Sequence, residues 1–221
     1  MIIKDKTKYD RRQTANGRFY CKNKDPDLLF PSVTNIIGQQ NKSTYKSRGP
    51  GPSANIGTIV HHKILQRYTK TVLPVSCDPI WNIPRSEVYG RINRCIKMWN
   101  ELNLNISPMI VETALFNNNP LYAGTLDLLG KISCSNELLE IHFRTDLFLL
   151  DIKTGLPYDS HVVQAGAYWH ALRRKPNVIF VYLDSIVDRN PEQKATIKIF
   201  NKEELEEGYN TFLDYYVEFE Y

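Results

Sequence analysis

The stretch over residues 123–155 constrains the fold of this chain more than any other part of it. Residues 125–134 have the composition of a β-strand, residues 135–137 (Ser-Asn-Glu) are a turn signal, and residues 146–153 are a second, largely apolar strand with charge only near its ends. A chain with two such segments in succession must place them in a sheet with a buried interior. We therefore predict that both segments are strands of one sheet.

Two carboxylates and a lysine converge in the same stretch. Successive side chains of a strand point to opposite faces, so Asp151 and Lys153 share a face while Ile152 turns into the core. Asp127 reaches the same patch if its strand pairs beside the second one. Such an oxygen-rich pocket suits a divalent cation, and the ammonium group beside it suits a developing negative charge. The alternative is an exposed ion pair at a strand end, which would contribute little.

Composition limits the class of protein. The 221 residues, with 42% hydrophobic and 24% charged residues, predict one globular domain, or one domain with a small lobe. The formal net charge of +4 permits a polyanionic partner without requiring one. The chain has no apolar run of membrane-spanning length and its N-terminus lacks a signal-peptide core, so we expect a soluble intracellular protein without a membrane partner.

The cysteines and the N-terminal basic residues give weaker signals. The four cysteines include no Cys-x-x-Cys pair, so they predict neither a zinc site nor a disulfide framework. Residues 4–24 mix basic and aromatic side chains, which suits binding of a phosphate backbone with stacked bases, although a solvated edge hairpin has the same composition. Residues 17–21 are typical of one arm of a hairpin. The basic residues are Lys4, Lys6, Lys8, Arg11, Arg12, Arg18, Lys22 and Lys24.

The segment that follows predicts a short helix and then a loop. Ser32 or Thr34 is a candidate cap for a helix ending at Gly38. Residues 39–55 are polar and rich in Gly and Pro, which predicts a loop. Its basic side chains would suit a substrate flap, and they are Lys42, Lys46 and Arg48. We accordingly divide the chain into an N-terminal hairpin and loop, 1–55, and a core, 56–221.

The remaining elements alternate between helix and strand. Helices are predicted over 57–68, 87–103, 158–174 and 202–216, and further strands over 109–116, 177–184 and 195–200. His61 lies on or beside the apolar stripe of the first of these helices, where a core histidine is the alternative to a metal ligand. Gln164 and Tyr168 lie one helical turn apart on one face and could bind a phosphate or order Lys153. The order predicts an α/β fold, a mixed central sheet flanked by helices.

Five short patterns occur in order along these elements, and together they resemble the motif set of the RecB-like branch of the PD-(D/E)xK nuclease superfamily. The patterns are Gly57-x-x-x-His61, Glu112, Gly124-x-x-Asp127, Asp151-x-Lys153 and Gln164-x-x-x-Tyr168. Residues 30–37, Phe-Pro-Ser-Val-Thr-Asn-Ile-Ile, also resemble a stretch of phage exonucleases and of mitochondrial genome-maintenance exonucleases. The resemblance implies a restriction-endonuclease-like core.

The resemblance also implies roles for individual residues. Asp127 and Asp151 would hold Mg²⁺ or Mn²⁺ with the Ile152 carbonyl, and His61 would complete or support the site. Lys153 would position or activate the attacking water and stabilise charge on the phosphate. Glu112 would bind the metal through water or would bind a second ion. The implied or candidate substrate-binding residues are Gln164, Tyr168, Thr154, Arg11, Arg12, Arg18, Lys42 and Lys46.

The resemblance finally implies an activity. Relatives that bind an iron–sulfur cluster carry three cysteines after the Gln-x-x-x-Tyr helix, and this chain has no cysteine after Cys134, so no cluster is expected. We expect a metal-dependent deoxyribonuclease, most simply an exonuclease on single-stranded DNA ends in replication, recombination or repair, acting in the host cytoplasm if the source is viral. The alternatives are a structure-specific or restriction-type endonuclease, and a catalytically silent nucleic-acid-binding module. The sequence gives no protein partner.

Overall fold

The structure of the chain is a computed structural model. The structure describes residues 9–14, 17–41, 52–71, 73, 84–133, 147–183 and 194–219, without the side chains of 41 and 52–54. Several predictions lie outside these residues: the basic side chains Lys4, Lys6, Lys8, Lys42, Lys46 and Arg48, the cysteines Cys77 and Cys134, the 135–137 turn, and most of the loop proposed for 39–55.

The described part of the chain contains eight strands and five α-helices. The strands are Tyr9–Thr14 (β1), Gly17–Lys22 (β2), Asp25–Pro31 (β3), Asn105–Asn118 (β4), Leu121–Ser133 (β5), Phe148–Lys153 (β6), Asn177–Tyr182 (β7) and Thr196–Phe200 (β8). The helices are Val33–Asn41 (α1), Pro52–Leu65 (α2), Arg85–Glu101 (α3), Ser160–Ala171 (α4) and Lys202–Val217 (α5), and a 3-10 turn, Gln66–Tyr68, extends α2. None of the helices described is long and apolar enough to cross a membrane.

Strands β4 to β8 form one five-stranded sheet in the order β4-β5-β6-β7-β8. The pair β6 and β7 is parallel and every other neighbouring pair is antiparallel. The predicted mixed α/β fold is therefore confirmed. Helix α4 connects the two parallel strands, as a parallel pair requires a crossover.

The central strand β6 separates two hydrophobic cores. Leu149 contributes to a core that includes residues of α1, α4 and α5, whereas Leu150 and Ile152 contribute to a core with α2 and α3. Because neighbouring side chains of a strand alternate between faces, a strand with a core on each side must be apolar almost throughout. The two charged residues of β6, Asp151 and Lys153, fall at its carboxyl end.

The N-terminal strands form a separate three-stranded antiparallel sheet in the order β1-β2-β3, so the predicted hairpin arm over residues 17–21 is confirmed. This small sheet packs against the main sheet. Phe30 of β3 and Tyr20 of β2 are buried with Ala123 of β5, and Ser32 forms a parallel β-bridge to Ala123.

The boundaries predicted around the first two helices were wrong. Helix α1 ends at Asn41 rather than at Gly38, because Gly38 does not take the left-handed conformation that commonly ends a helix. Ser32 caps this helix as proposed, since its Oγ accepts a 3.0 Å hydrogen bond from the backbone N–H of Asn35. Helix α2 begins at Pro52, inside the proposed loop, because proline is favourable at the first position of a helix.

Other predicted boundaries shift by a few residues. Helix α3 starts and ends two residues earlier than predicted, and Asn103, which follows it, has a φ of +48° that stops the helix. Helix α4 is shorter than the predicted 158–174, because Leu172 is already extended. Strands β4 and β5 are longer than predicted, since their pairing extends to Asn118 and Leu121 at the turn, with one register shift between Pro108 and Ile110.

Candidate active site

Asp127 and the carboxyl end of β6 meet as the sequence predicts. The Asp127 carboxylate accepts a 2.7 Å hydrogen bond on Oδ2 from the backbone N–H of Ile152. This contact lies just beyond the last recorded pair of the β5–β6 ladder, Leu128 with Leu150. Where the backbone ladder ends, the side chain of Asp127 therefore provides the hydrogen bond to β6. This bond fixes Asp127 beside Asp151.

Lys153 lies between two polar partners. Its Nζ is 2.7 Å from Asp151 Oδ2 and donates a 2.8 Å hydrogen bond to the side-chain oxygen of Gln164. The ammonium group also lies 4.9 Å from the centre of the Phe180 ring, at cation-π distance. Three contacts from β6, α4 and β7 thus hold the head of a long, flexible side chain in one position.

Asp151 carries an incompletely satisfied carboxylate. The residue is only 3% exposed, and its Oδ2 is a buried atom without a hydrogen bond. The ammonium group of Lys153, 2.7 Å away, forms an ion pair with this oxygen. A buried carboxylate oxygen in this condition retains lone pairs for a further cation, because a carboxylate offers several acceptor sites.

His61 and His62 point in different directions, as expected for adjacent residues of a helix. His61 Nδ1 lies 3.3 Å from Asp127 Oδ2. His62 instead places its Nε2 3.1 Å from the backbone oxygen of Leu73. The structure thus brings His61 to the carboxylates and gives His62 a structural contact outside them.

Glu112 reaches the site through an unusual backbone conformation. Its φ is +46°, inside strand β4, where a non-glycine residue seldom adopts a left-handed conformation. The neighbouring pairs are Val111 with Leu128 and Thr113 with Leu126, so Glu112 stands opposite Asp127 in the register. Strain of this kind persists only where surrounding contacts enforce it, and it is concentrated at functional sites.

The two motif glycines allow close approaches that build the site. A Cβ at Gly57 would lie 2.7 Å from Thr154 Oγ1, so α2 can approach the end of β6 only without a side chain there. A Cβ at Gly124 would lie 2.8 Å from the hydroxyl oxygen of Tyr168 and closer still to its ring. The absence of a side chain at these two glycines therefore lets the helices that carry His61 and Tyr168 lie close to β5 and β6.

All nine motif residues line one cavity of about 560 Å³, which lies between the main sheet and the small N-terminal sheet. They are Gly57, His61, Glu112, Gly124, Asp127, Asp151, Lys153, Gln164 and Tyr168. Thr154, Arg11 and Arg18 also line it, as predicted for substrate contacts. Arg12 is not among the lining residues, because neighbours on a strand face opposite sides and Arg12 pairs with Phe19.

Burial and like charges perturb the acidic groups. Burial, reinforced by the charge of Asp127, raises the pKa of Glu112 to about 7. Burial also raises the pKa of Asp151, against the opposing effect of Lys153. Burial alone would raise the pKa of Asp127, but the charge of His61 and hydrogen bonds from His61 and Ile152 lower it. Burial therefore opposes ionisation of Glu112 and Asp151, whereas His61 favours the ionised form of Asp127.

Burial alone would lower the pKa of His61, but the Asp127 carboxylate outweighs it and raises the value to about 9. Burial lowers the pKa of His161, at the start of α4, to about 4, and the charge of Lys153 acts in the same direction. His161 is held by the hydroxyl group of Tyr182, 3.1 Å from its Nδ1. It is a neutral neighbour of the site that the sequence analysis did not identify.

The donor set suits a divalent cation. In the described ranges no three His, Cys, Asp or Glu side chains stand together as a finished ligand set. Asp127 and Asp151 nevertheless supply the hard oxygen ligands that Mg²⁺ and Mn²⁺ prefer, and Asp151 Oδ2 is buried without a hydrogen bond. These residues fit such an ion if the ammonium group of Lys153 moves away from Asp151 Oδ2.

Sequence reasoning missed a polar pair in the cavity. The hydroxyl groups of Tyr20 and Thr125 lie 2.9 Å apart, and both residues line the cavity. They are 105 positions apart in the sequence, so no local pattern could have joined them. The sequence marked Tyr20 as part of a basic and aromatic segment, which was the one available signal.

No protein-family model matches this chain, and no curated protein sequence is significantly similar to it.

Proposed function

We propose that this protein is a metal-dependent nuclease with a restriction-endonuclease-like core that hydrolyses phosphodiester bonds of DNA. The observation that carries the proposal is the juxtaposition of Asp127, Asp151 and Lys153 in one cavity. Asp151 and Lys153 are adjacent by a 2.7 Å contact, and Asp127 is tied to the intervening Ile152. Buried carboxylates gathered with one lysine are costly to a fold, and binding of a polyanion alone does not need them.

The proposal assigns a role to each group. Asp127, Asp151 and the Ile152 carbonyl would hold Mg²⁺ or Mn²⁺, with His61 supporting Asp127 and Glu112 assisting from β4. When bound, the ion would supply Lewis-acid stabilisation of charge on the phosphate and favour deprotonation of the attacking water. Lys153 would orient that water and balance charge that develops on the phosphate oxygens. Gln164 keeps Lys153 in place, and Tyr168 with Thr154 borders the substrate backbone. No iron–sulfur cluster takes part in this proposal.

The finer part of the proposal is an exonuclease on single-stranded DNA ends that serves replication, recombination or repair. It rests on the likeness of residues 30–37 to exonuclease sequences and on the position of the site. The small sheet forms one side of the cavity through Arg11, Arg18 and Tyr20. A single strand passes such a bounded site more readily than a stiff duplex.

Incubation of the purified full-length chain with end-labelled DNA tests the proposal. Linear and circular molecules, each single- and double-stranded, would be compared in Mg²⁺, in Mn²⁺ and in a chelator. Degradation of linear single strands that requires the metal supports the exonuclease, whereas cleavage of circles selects the endonuclease. If neither metal supports cleavage of any of these DNA molecules, the nuclease proposal is contradicted. A nucleic-acid-binding module would then be the better description.

A further inference from the structure

The cavity has a second wall made by the small sheet. Arg11 of β1 and Arg18 of β2 line it, facing a set of acidic residues that includes Glu112. Arg11 stands opposite Tyr20 in the β1–β2 ladder, and Arg18 lies two residues before Tyr20, so all three side chains occupy one face. That face is turned toward the carboxylates, because Tyr20 contacts Thr125 of β5.

The small sheet is fixed to the main sheet by aromatic packing. Tyr20 and Phe30 pack edge-on against Phe116 of β4, with ring centroids 6.3 and 5.0 Å away. Lys22 Nζ lies over the rings of Phe30 and Phe116 and donates a 3.2 Å hydrogen bond to Asn118. These contacts fix the distance between the arginine wall and the carboxylate wall.

The two arginines stay available to a ligand. Both are exposed residues, and within the part of the chain described neither has a recorded ion pair with a carboxylate. The charge of Arg11 does reach Glu112, whose pKa it lowers in opposition to burial and to Asp127. A guanidinium group offers a planar fork of donors that matches phosphate oxygens, and two of them facing an acidic wall would offset its repulsion of a polyanion.

We propose that Arg11 and Arg18 bind backbone phosphates of the substrate strand and that Arg12 does not, so that the strand lies in a slot between an arginine wall and a carboxylate wall. The nature of this ligand rests on the nuclease function proposed above. The distinction between Arg11 and Arg12 does not rest on that function, because it follows from the alternation of side chains along β1. Arg12 shares its strand, its charge and its exposure with Arg11 and differs only in the face it occupies.

Point substitutions are needed to test this slot. Deletion of residues 1–24 would remove Phe19, Tyr20 and Cys21, which are 4%, 1% and 0% exposed. The truncated chain would lose core contacts together with any phosphate contacts. Arg11→Gln, Arg18→Gln and their combination remove charge from exposed positions, and Arg12→Gln is the matched control.

The experiment measures binding of a fluorescent single-stranded oligodeoxythymidylate to the full-length chain in a chelator, over a series of NaCl concentrations. Each lost phosphate contact should flatten the slope of log K against log salt by about 0.7, so the double variant should lose ~1.4. Arg12→Gln should keep the wild-type slope. Thermal melts of all variants should nearly coincide, because within the described residues these exposed guanidinium groups form no ion pair and Arg11 acts on Glu112 only through its charge.

The outcomes separate this inference from the proposed nuclease. A double variant with the wild-type slope, an Arg12→Gln variant with an equal loss, or a wild-type chain that does not bind the oligonucleotide would each overturn the slot. If the wild type cleaves DNA while the double variant binds as well as the wild type, the nuclease stands and the slot fails. If the arginine variants lose binding as expected but no metal supports cleavage by the wild type, the slot stands and the nuclease fails.

Discussion

The side-chain oxygen of Gln164 accepts a 2.8 Å hydrogen bond from Lys153 Nζ, which links helix α4 to the end of the central strand. Gln164 is 7% exposed and is fixed by its place in a buried segment of α4. It therefore acts on Lys153 as a positioning residue. Without it, the ammonium group would lose its hydrogen bond to α4 and keep the contacts with Asp151 and the Phe180 ring.

Gln164→Ala should lower kcat for DNA hydrolysis about 10- to 100-fold, the usual cost of losing a group that orients a catalytic side chain. KM should change little, because Lys153 keeps its charge. Steady-state kinetics on a short single-stranded substrate measure both constants. A loss confined to KM would show that Gln164 binds substrate and does not orient Lys153.

Removal of either carboxylate should affect hydrolysis without weakening the binding of DNA. Asp127→Asn and Asp151→Asn should each abolish hydrolysis and weaken Mn²⁺ binding measured by calorimetry, because each removes an anionic oxygen ligand. Binding of single-stranded DNA should stay the same or tighten, since the variants repel phosphates less. Turnover close to that of the wild type in Mg²⁺ for either variant would refute the proposed metal site.

The paired histidines offer an internal control. His61→Ala should lose most of the activity, because it removes the contact to Asp127, whereas His62→Ala should keep it and lose only the contact to Leu73. Initial rates at saturating substrate compare the two variants, and thermal melts identify any loss of folding. Equal loss of activity in two folded variants would contradict the assignment of His61.

The left-handed backbone at Glu112 predicts an unusual order of stability. Glu112→Gly should unfold at a higher temperature than Glu112→Ala, because alanine keeps the cost of about 1–2 kcal/mol for a side chain in this conformation. Both substitutions remove the carboxylate, so their comparison isolates the backbone. Within a strand, glycine is ordinarily the less stable of the two. Thermal unfolding of both variants measures the difference, and a higher unfolding temperature for Glu112→Ala would contradict the backbone strain.

Two helical glycines should respond to alanine with opposite sign. A Cβ at Gly90 of α3 meets nothing within 4 Å, so Gly90→Ala should stabilise the protein by about 0.5–1 kcal/mol. A Cβ at Gly208 of α5 would lie 2.9 Å from the backbone carbon of Val162 and closer to its oxygen, so Gly208→Ala should cost about 1–3 kcal/mol. Urea titrations of the two variants measure both changes. Equal effects would show that α4 and α5 do not pack this closely.

The sequence alone determined the elements of the main sheet and much of the candidate site. Apolar runs such as β6 and the periodic helices around it follow from local patterns, because burial acts on each segment separately. The same alternation placed Asp151 and Lys153 on one face and Ile152 in the core, as found. Helix geometry also explains why the adjacent residues His61 and His62 make different contacts. The boundaries were less accurate, since α1 continues past Gly38 and α2 begins at Pro52, inside the predicted loop.

Only the tertiary structure decided which distant residues meet. The close fit of Gly57 to Thr154 and of Gly124 to Tyr168, the pairing of Tyr20 with Thr125, and the left-handed backbone of Glu112 all depend on packing between segments far apart in the chain. The same holds for the arginines: composition treats Arg11 and Arg12 alike, and the pairing of β1 with β2 above the cavity turns only Arg11 toward it. A local pattern can fix the face of a strand on which a side chain lies, but the assembled sheets decide what that face meets.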